Sequence, residues 1–239
     1  MTTPNRRSFL KFAGASAGAL TLGGLSLPAL AATSVSTKSA AQDLTILNYA
    51  LTLEYLEAEF YTAFSSGALA GKLTDARVKS YARQLAAHEV AHVDALKQTI
   101  TSLGGTPVAK PTFDFSPLIG DGSTQNDRSF LQLAATLEPV GVRAYLGQAD
   151  KLMNGAVLTA AASILAVEAN HASGIQELRT QMGFNTKPTR QTGRAPQSDA
   201  KPSSTSVADF DADFSPTPTD FWVPLSMDEV LAIVKPLIK

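Results

Sequence analysis

His88-Glu89-Val90-Ala91-His92 and Glu168-Ala169-Asn170-His171 are the two stretches on which the reading of this chain turns. Each holds a Glu-x-x-His. Three residues along a helix is a rotation of about 300°, so the two side chains lie about 60° apart on one face and reach a common point. With 8 Glu and 3 His in the chain, chance placement gives roughly 0.1 such pairs. Two of them call for a reason.

Both stretches sit in apolar patterns of helical period. The first pattern runs from Thr74 to Leu103, with Leu85, Val93, Leu96 and Ile100 on one stripe and Gly104-Gly105 as its stop. The second runs from Gly155 to Met182 and ends at Gly183. Each is preceded by another helical pattern: Asp43 to Ser65, carrying Leu44, Leu47, Leu51, Tyr55, Ala58 and Tyr61, and Asp127 to Asn154. The first link, of about eight residues, and the third, of one or two around Asn154-Gly155, make antiparallel neighbours. The middle link, Gly104 to Asn126, is about twenty residues long with Pro107, Pro111 and Pro117, a length that suits a crossover along the bundle. The expected fold is all-α: a four-helix bundle of two antiparallel hairpins, one long crossover and a C-terminal extension.

The first helix of each hairpin supplies a further acid. Ala50-Leu51-Thr52-Leu53-Glu54 with Tyr61 parallels Ala134-Ala135-Thr136-Leu137-Glu138 with Tyr145, a shared Ala-x-Thr-Leu-Glu-x6-Tyr. Seven residues is nearly two turns, so each Tyr shares a face with its Glu. The chain reads as two copies of one hairpin, each carrying Glu and then Glu-x-x-His. Counted from their helix starts, Glu54, Glu89, Glu138 and Glu168 spread over roughly 6 Å along the axis, so all four meet near mid-bundle. Four carboxylates on interior faces are prohibitively costly if dry and unpaired, and two divalent cations cancel their charge. Carboxylates with one imidazole per metal suit two Fe or two Mn ions, or a mixed pair, with positions left open for oxygen species. The expected metal ligands are Glu54, Glu89, His92, Glu138, Glu168 and His171, with Tyr61 and Tyr145 beside them.

Other readings of the same residues stand next to this one. Glu57 also faces near the interior and rivals Glu54, which is preferred for its match to Glu138. Tyr61 and Tyr145 also read as core aromatics with satisfied hydroxyls. His88-Glu89-x-x-His92 is formally the His-Glu-x-x-His of zinc peptidases, in which both His bind the metal and Glu is the general base. That reading leaves the second Glu-x-x-His and the repeat without a role. Pro139, directly after Glu138, removes a backbone donor in mid-helix, so a local kink is expected, one able to displace Glu138.

These residues resemble the ferritin-like di-metal carboxylate superfamily. Leu53-Glu54-Tyr55-Leu56-Glu57-Ala58-Glu59-Phe60-Tyr61 and Glu138-x-x-Gly141-Val142-x-x-Tyr145-Leu146-Gly147 look like exported bacterial ferritin-like proteins related to desiccation-related proteins, over about Asp43 to Gly183. The resemblance implies that Glu89 and Glu168 bridge two metals, Glu54 and Glu138 are terminal ligands, and His92 and His171 each bind one ion. It implies oxidoreductase chemistry on O2 or peroxide, of ferroxidase, peroxidase or catalase type. The alternative is a non-catalytic metal-binding or desiccation-protective structural protein.

The remaining residues bound these expectations. The 239-residue chain has no Cys, which excludes disulfide scaffolds, thiolate zinc sites and iron–sulfur clusters. A peroxidase without a rubredoxin module needs an external electron donor. The chain opens Met1-Thr2-Thr3-Pro4-Asn5-Arg6-Arg7-Ser8-Phe9-Leu10-Lys11, followed by an apolar stretch and Ala29-Leu30-Ala31. This resembles a twin-arginine export signal with a cleavage site, giving a periplasmic or extracellular protein with no membrane segment in its mature form. Removing its three cations takes the formal charge from −1 to −4, a poor balance for nucleic acid. A homodimer is compatible with the pattern. The expected division is residues 1–31 export signal, 32–42 flexible lead-in, 43–183 bundle, and 184–239 a Pro-rich tail. Within that tail Ser226-Met227-Asp228-Glu229 is a capping box for a short helix packed back on the bundle.

Overall fold

Ser39 accepts a hydrogen bond from the Gln42 N–H and opens helix α1, Ala40–Ser65. The helix therefore begins inside what the sequence suggested was lead-in, because a Ser cap followed by Ala-Ala-Gln is a sufficient start. Asp75 caps α2, Ala76–Ser102, through the Arg77 and Val78 N–H groups. The crossover holds one short helix, α3, Ser116–Ile119. Asn126 and Ser129 form a reciprocal capping box on α4, Asp127–Ala149, and Asn154 caps α5, Gly155–Gln181. A last helix, α6, spans Met227–Val234 behind the expected Ser226–Glu229 box. The computed structural model describes residues 38–184, 222 and 224–239, all within one compact unit. The export signal, most of the lead-in and the tail from 185 to 221, with its Phe210, Phe214 and Phe221, lie outside the described residues.

α1 packs chiefly on α2 and α4 on α5; the hairpins meet through α1 on α4 and α2 on α5. Every described element is helical apart from a lone bridge between Phe113 and Ile238, so the all-α bundle with one long crossover stands. One end of the bundle is filled by Phe60, Phe64 and Phe130, whose rings lie 5.0 to 6.2 Å apart. A second apolar cluster, including Leu47, Leu51, Leu96 and Ile100, fills the other. The polar residues of interest lie between the two.

Two expectations about α4 need correcting. The α4–α5 link is five residues, 150 to 154, not one or two. Its backbone is held out of helical form from elsewhere: Asp43 accepts from the Met153 and Asn154 N–H groups at 2.8 and 2.9 Å. The second concerns Pro139. The helix runs unbroken through it, and Glu138 remains fully buried rather than displaced. One missing N–H costs less than would the loss of the buried partners that hold Glu138 in place.

The C-terminal residues form the expected strap. Leu225 donates its N–H to the Arg143 carbonyl, and Leu225, Val230, Val234 and Leu237 are buried in the first core cluster. The end of the chain is tied to the crossover by Asp114 N–H to Leu237 O and Lys239 N–H to Thr112 O.

Candidate metal centre

Each of the four long helices delivers its acid to one region of the bundle interior. Glu54 from α1, Glu89 from α2, Glu138 from α4 and Glu168 from α5 are all fully buried, and His92 and His171 are 8% and 4% exposed. The side chains fall into two overlapping sets. Glu54, Glu89, His92 and Glu168 each bring one ligand atom within 4.8 Å of the others, and so do Glu89, Glu138, Glu168 and His171. Glu89 and Glu168 belong to both sets, while Glu54 with His92 and Glu138 with His171 belong to one each. The structure thus gathers all six sequence-derived ligands in the arrangement of two terminal pairs about two shared carboxylates.

Charge balance tests whether the donors suit cations. His92 Nδ1 lies 2.8 Å from Glu89 Oε2, 3.1 Å from Glu54 Oε2 and 3.4 Å from Glu168 Oε1. His171 Nδ1 lies 3.1 Å from both Glu89 Oε1 and Glu138 Oε2. A ring nitrogen carries at most one hydrogen, so it cannot satisfy two or three oxygens at once. Glu89 Oε1 and both oxygens of Glu168 accept no well-directed hydrogen bond, although all three are buried. Oxygens converging on an imidazole nitrogen with too few protons between them suit a divalent cation as donors.

Proton affinities carry the same strain. Burial lifts the Glu54 carboxyl to about 7 against the opposing pull of His92. Burial, reinforced by neighbouring carboxylates, pushes Glu57, Glu138 and Glu168 up as well. Glu89 goes the other way: burial is outweighed by hydrogen bonds from His171 and His92, which bring it down to about 2. Burial alone would lower both imidazoles, yet the carboxylates around them hold His92 up to about 12 and His171 up to about 9. Without metal, protons on these groups supply counter-charge to the carboxylates.

The tyrosines are exchanged between hairpins. Tyr61 of α1 donates to Glu138 of α4, and Tyr145 of α4 donates to Glu54 of α1 at 2.5 Å. Each hydroxyl fixes one oxygen of the opposite terminal Glu and leaves the other facing the site. The sequence placed each Tyr on its own glutamate's face; the bundle crosses them because those faces confront one another across the axis. Glu57, the rival to Glu54, is also buried but stands outside both ligand sets. At the corresponding place on α4 is Gly141, where a Cβ would lie 2.6 Å from Glu168 Oε2 and 3.5 Å from Glu57 Oε1. His88 is outside both sets too, so the structure does not bring His88 and His92 onto one ion. Its Nδ1 lies 2.8 Å from His171 Nε2 instead. Sequence reading missed Gly141 and this imidazole pair, and the only signal was that both break the repeat.

A family model described as a ferritin-like domain matches residues 42–181, and one described as a twin-arginine translocation pathway signal sequence matches residues 3–23. No curated protein matches the chain. Among the described residues no helix is long and apolar enough to cross a membrane.

Proposed function

Because this chain belongs to the ferritin-like domain family and carries a twin-arginine export signal, we propose that it is an exported di-metal protein acting on O2 or peroxide. The observation that carries the reading is the sharing of Glu89 and Glu168 between two four-residue ligand sets. Two Fe or two Mn ions, when bound, supply reversible one-electron chemistry and open positions for an oxygen species. The chain's own part is to hold and orient. Glu54 and His92 would hold one ion, Glu138 and His171 the other, and Glu89 and Glu168 would be shared by both. Tyr145 and Tyr61 restrain the terminal carboxylates, and burial keeps bulk water from the carboxylate cage. Peroxide disposal or iron oxidation in stress protection fits this arrangement, with reducing equivalents from an external donor where turnover requires them.

The ligands come from all four long helices, an observation that also favours a second reading, a metal that only ties the bundle together. Elemental analysis of the full chain from its native compartment separates the possibilities when paired with turnover. Two Fe or Mn per chain, and peroxide consumption or Fe(II) oxidation lost in Glu89→Ala and Glu168→Ala with helicity kept, is the expected result. A thermal midpoint that drops on chelation, with no turnover in the loaded protein, establishes the tie instead. One zinc per chain, insensitive to replacement of Glu168 or His171, overturns the di-metal reading.

A further inference from the structure

The two halves of the centre are not equally supported. His171 presents Nδ1 to Glu89 and Glu138 and Nε2 to His88 Nδ1, 2.8 Å away. The two ring planes are within 18° of one another with centroids 5.0 Å apart. A nitrogen–nitrogen approach of 2.8 Å is closer than face-to-face ring packing permits, so the rings meet edge to edge. A ligating imidazole keeps the metal-facing nitrogen free of hydrogen; its one proton then sits on the other nitrogen and needs an acceptor. His88 Nδ1 is that acceptor, with its own proton on Nε2. Two turns earlier on α2, the Tyr81 hydroxyl donates to the His171 carbonyl at 3.3 Å. It reaches there through the gap left by Gly174, where a Cβ would stand 2.0 Å from the Tyr81 oxygen. Ring and main chain of His171 are thus both held from α2.

The other half lacks this support. Val167 precedes Glu168 as His88 precedes Glu89, and Ala160 stands seven residues before Val167 as Tyr81 does before His88. Neither offers a polar side chain, and among the described residues the bonds of His92 are made by Nδ1, to Glu54 and Glu89.

We propose that His88 is a positioning residue for one of the two metal positions, and that it makes the Glu138–His171 position the tighter and the first to fill. The inference rests on the di-metal reading. Fixing the tautomer and orientation of a ligating imidazole through its second nitrogen is worth about 10–100-fold in metal affinity. Among the described residues no side chain does the same for the Glu54–His92 position, which binds second.

The test is calorimetric titration of the metal-free full chain with Mn(II). The wild type binds two equivalents of unequal affinity; His171→Ala removes the tighter and His92→Ala the weaker. His88 is only partly buried, so its replacements leave the core intact. His88→Phe, which keeps a ring but has no acceptor, weakens the tighter equivalent by about 10–100-fold and leaves the other unchanged. His88→Asn, whose Oδ1 accepts where Nδ1 did, restores most of the loss, an outcome that a purely steric role does not give. Equal behaviour of the Phe and Asn variants, or a parallel shift of both equivalents, overturns the proposal. So do two equal equivalents in the wild type, which leave the di-metal reading standing, whereas a wild type that binds no metal removes both.

Discussion

At Gly141 a side chain is absent where one would fill space that two carboxylates use. The position lies one turn beyond Glu138, as Glu57 lies one turn beyond Glu54, and an added Cβ would meet Glu168 Oε2 at 2.6 Å. Replacing Gly by Ala within a helix gains about 1 kcal/mol of intrinsic preference. The expected outcome of Gly141→Ala is therefore a metal-free protein at least as resistant to heat as the wild type, combined with metal affinity at least about tenfold lower because Glu168 is pushed aside. Paired melting curves and metal titrations check it; unchanged affinity would show that Glu168 does not need this space. At the residue scale, the legible positions were those where two signals coincide, a ligand type and a helical spacing. Glu54, Glu89, His92, Glu138, Glu168 and His171 all satisfied that condition. Gly141 did not, because a helical glycine is compatible with many causes, and His88 did not, because adjacency to Glu89 placed it off the ligand face without saying what it would meet.

At the scale of elements, caps and stops did most of the work. Gly104 and Gly183 adopt positive φ at 77° and 69°, ending α2 and α5 where the sequence suggested, since only glycine enters that region freely. The end of α4 was misplaced because the cause is remote: no local residue announces that Asp43, over a hundred positions away, will claim the Met153 and Asn154 amides. The strap was legible from Ser226–Glu229, but its seat was not. That seat includes Gly147, where a Cβ would lie 1.8 Å from the Leu225 carbonyl oxygen. A main-chain obstacle cannot rotate away as a carboxylate can. In Gly147→Ala the strap should shift off α4 at a cost of about 1–3 kcal/mol, which for a domain of this size lowers the melting temperature by about 2–4 °C per kcal/mol. Hydrogen exchange reads the site directly: the Leu225 amide, bonded to Arg143 O, should lose protection before the amides of α1 do. Retained protection at Leu225 would contradict this placement.

Over the whole molecule, protons and metals compete for the same interior. In the metal-free fold Glu54 is raised from 4.5 to about 7, first by burial. His171 is raised from 6.5 to about 9, its carboxylate partners overcoming burial. Both groups hold protons that the unfolded chain has released, so the stability they contribute is present at low pH. It is lost between 4.5 and about 7 for Glu54 and between 6.5 and about 9 for His171. Glu89 has the opposite sign, but its loss falls below 4.5, toward about 2. The melting temperature of the metal-free chain should fall as pH rises from about 5 to about 9, and added Mn(II) or Fe(II) should reverse the fall with release of protons. A flat or rising profile would show that the interior carboxylates are neutralised some other way.

The two hairpins also hold one another's turns. Asp43 at the start of α1 binds the backbone before α5, and Asp127 at the start of α4 binds the Thr74 and Asp75 amides before α2 at 2.9 and 3.2 Å. Removing either carboxylate strands two amide donors, and Asp43→Ala or Asp127→Ala should each cost about 1–3 kcal/mol in denaturant unfolding. With Tyr61 and Tyr145 exchanged in the same sense, each hairpin supplies at these places what the other needs. A lone hairpin of this kind would find its complement in a second copy of itself, but such a pair would have to repeat every residue on both sides. Joining the copies in one polypeptide frees each to diverge, and Glu57 against Gly141, or His88 against Val167, is a difference that no assembly of identical halves can express.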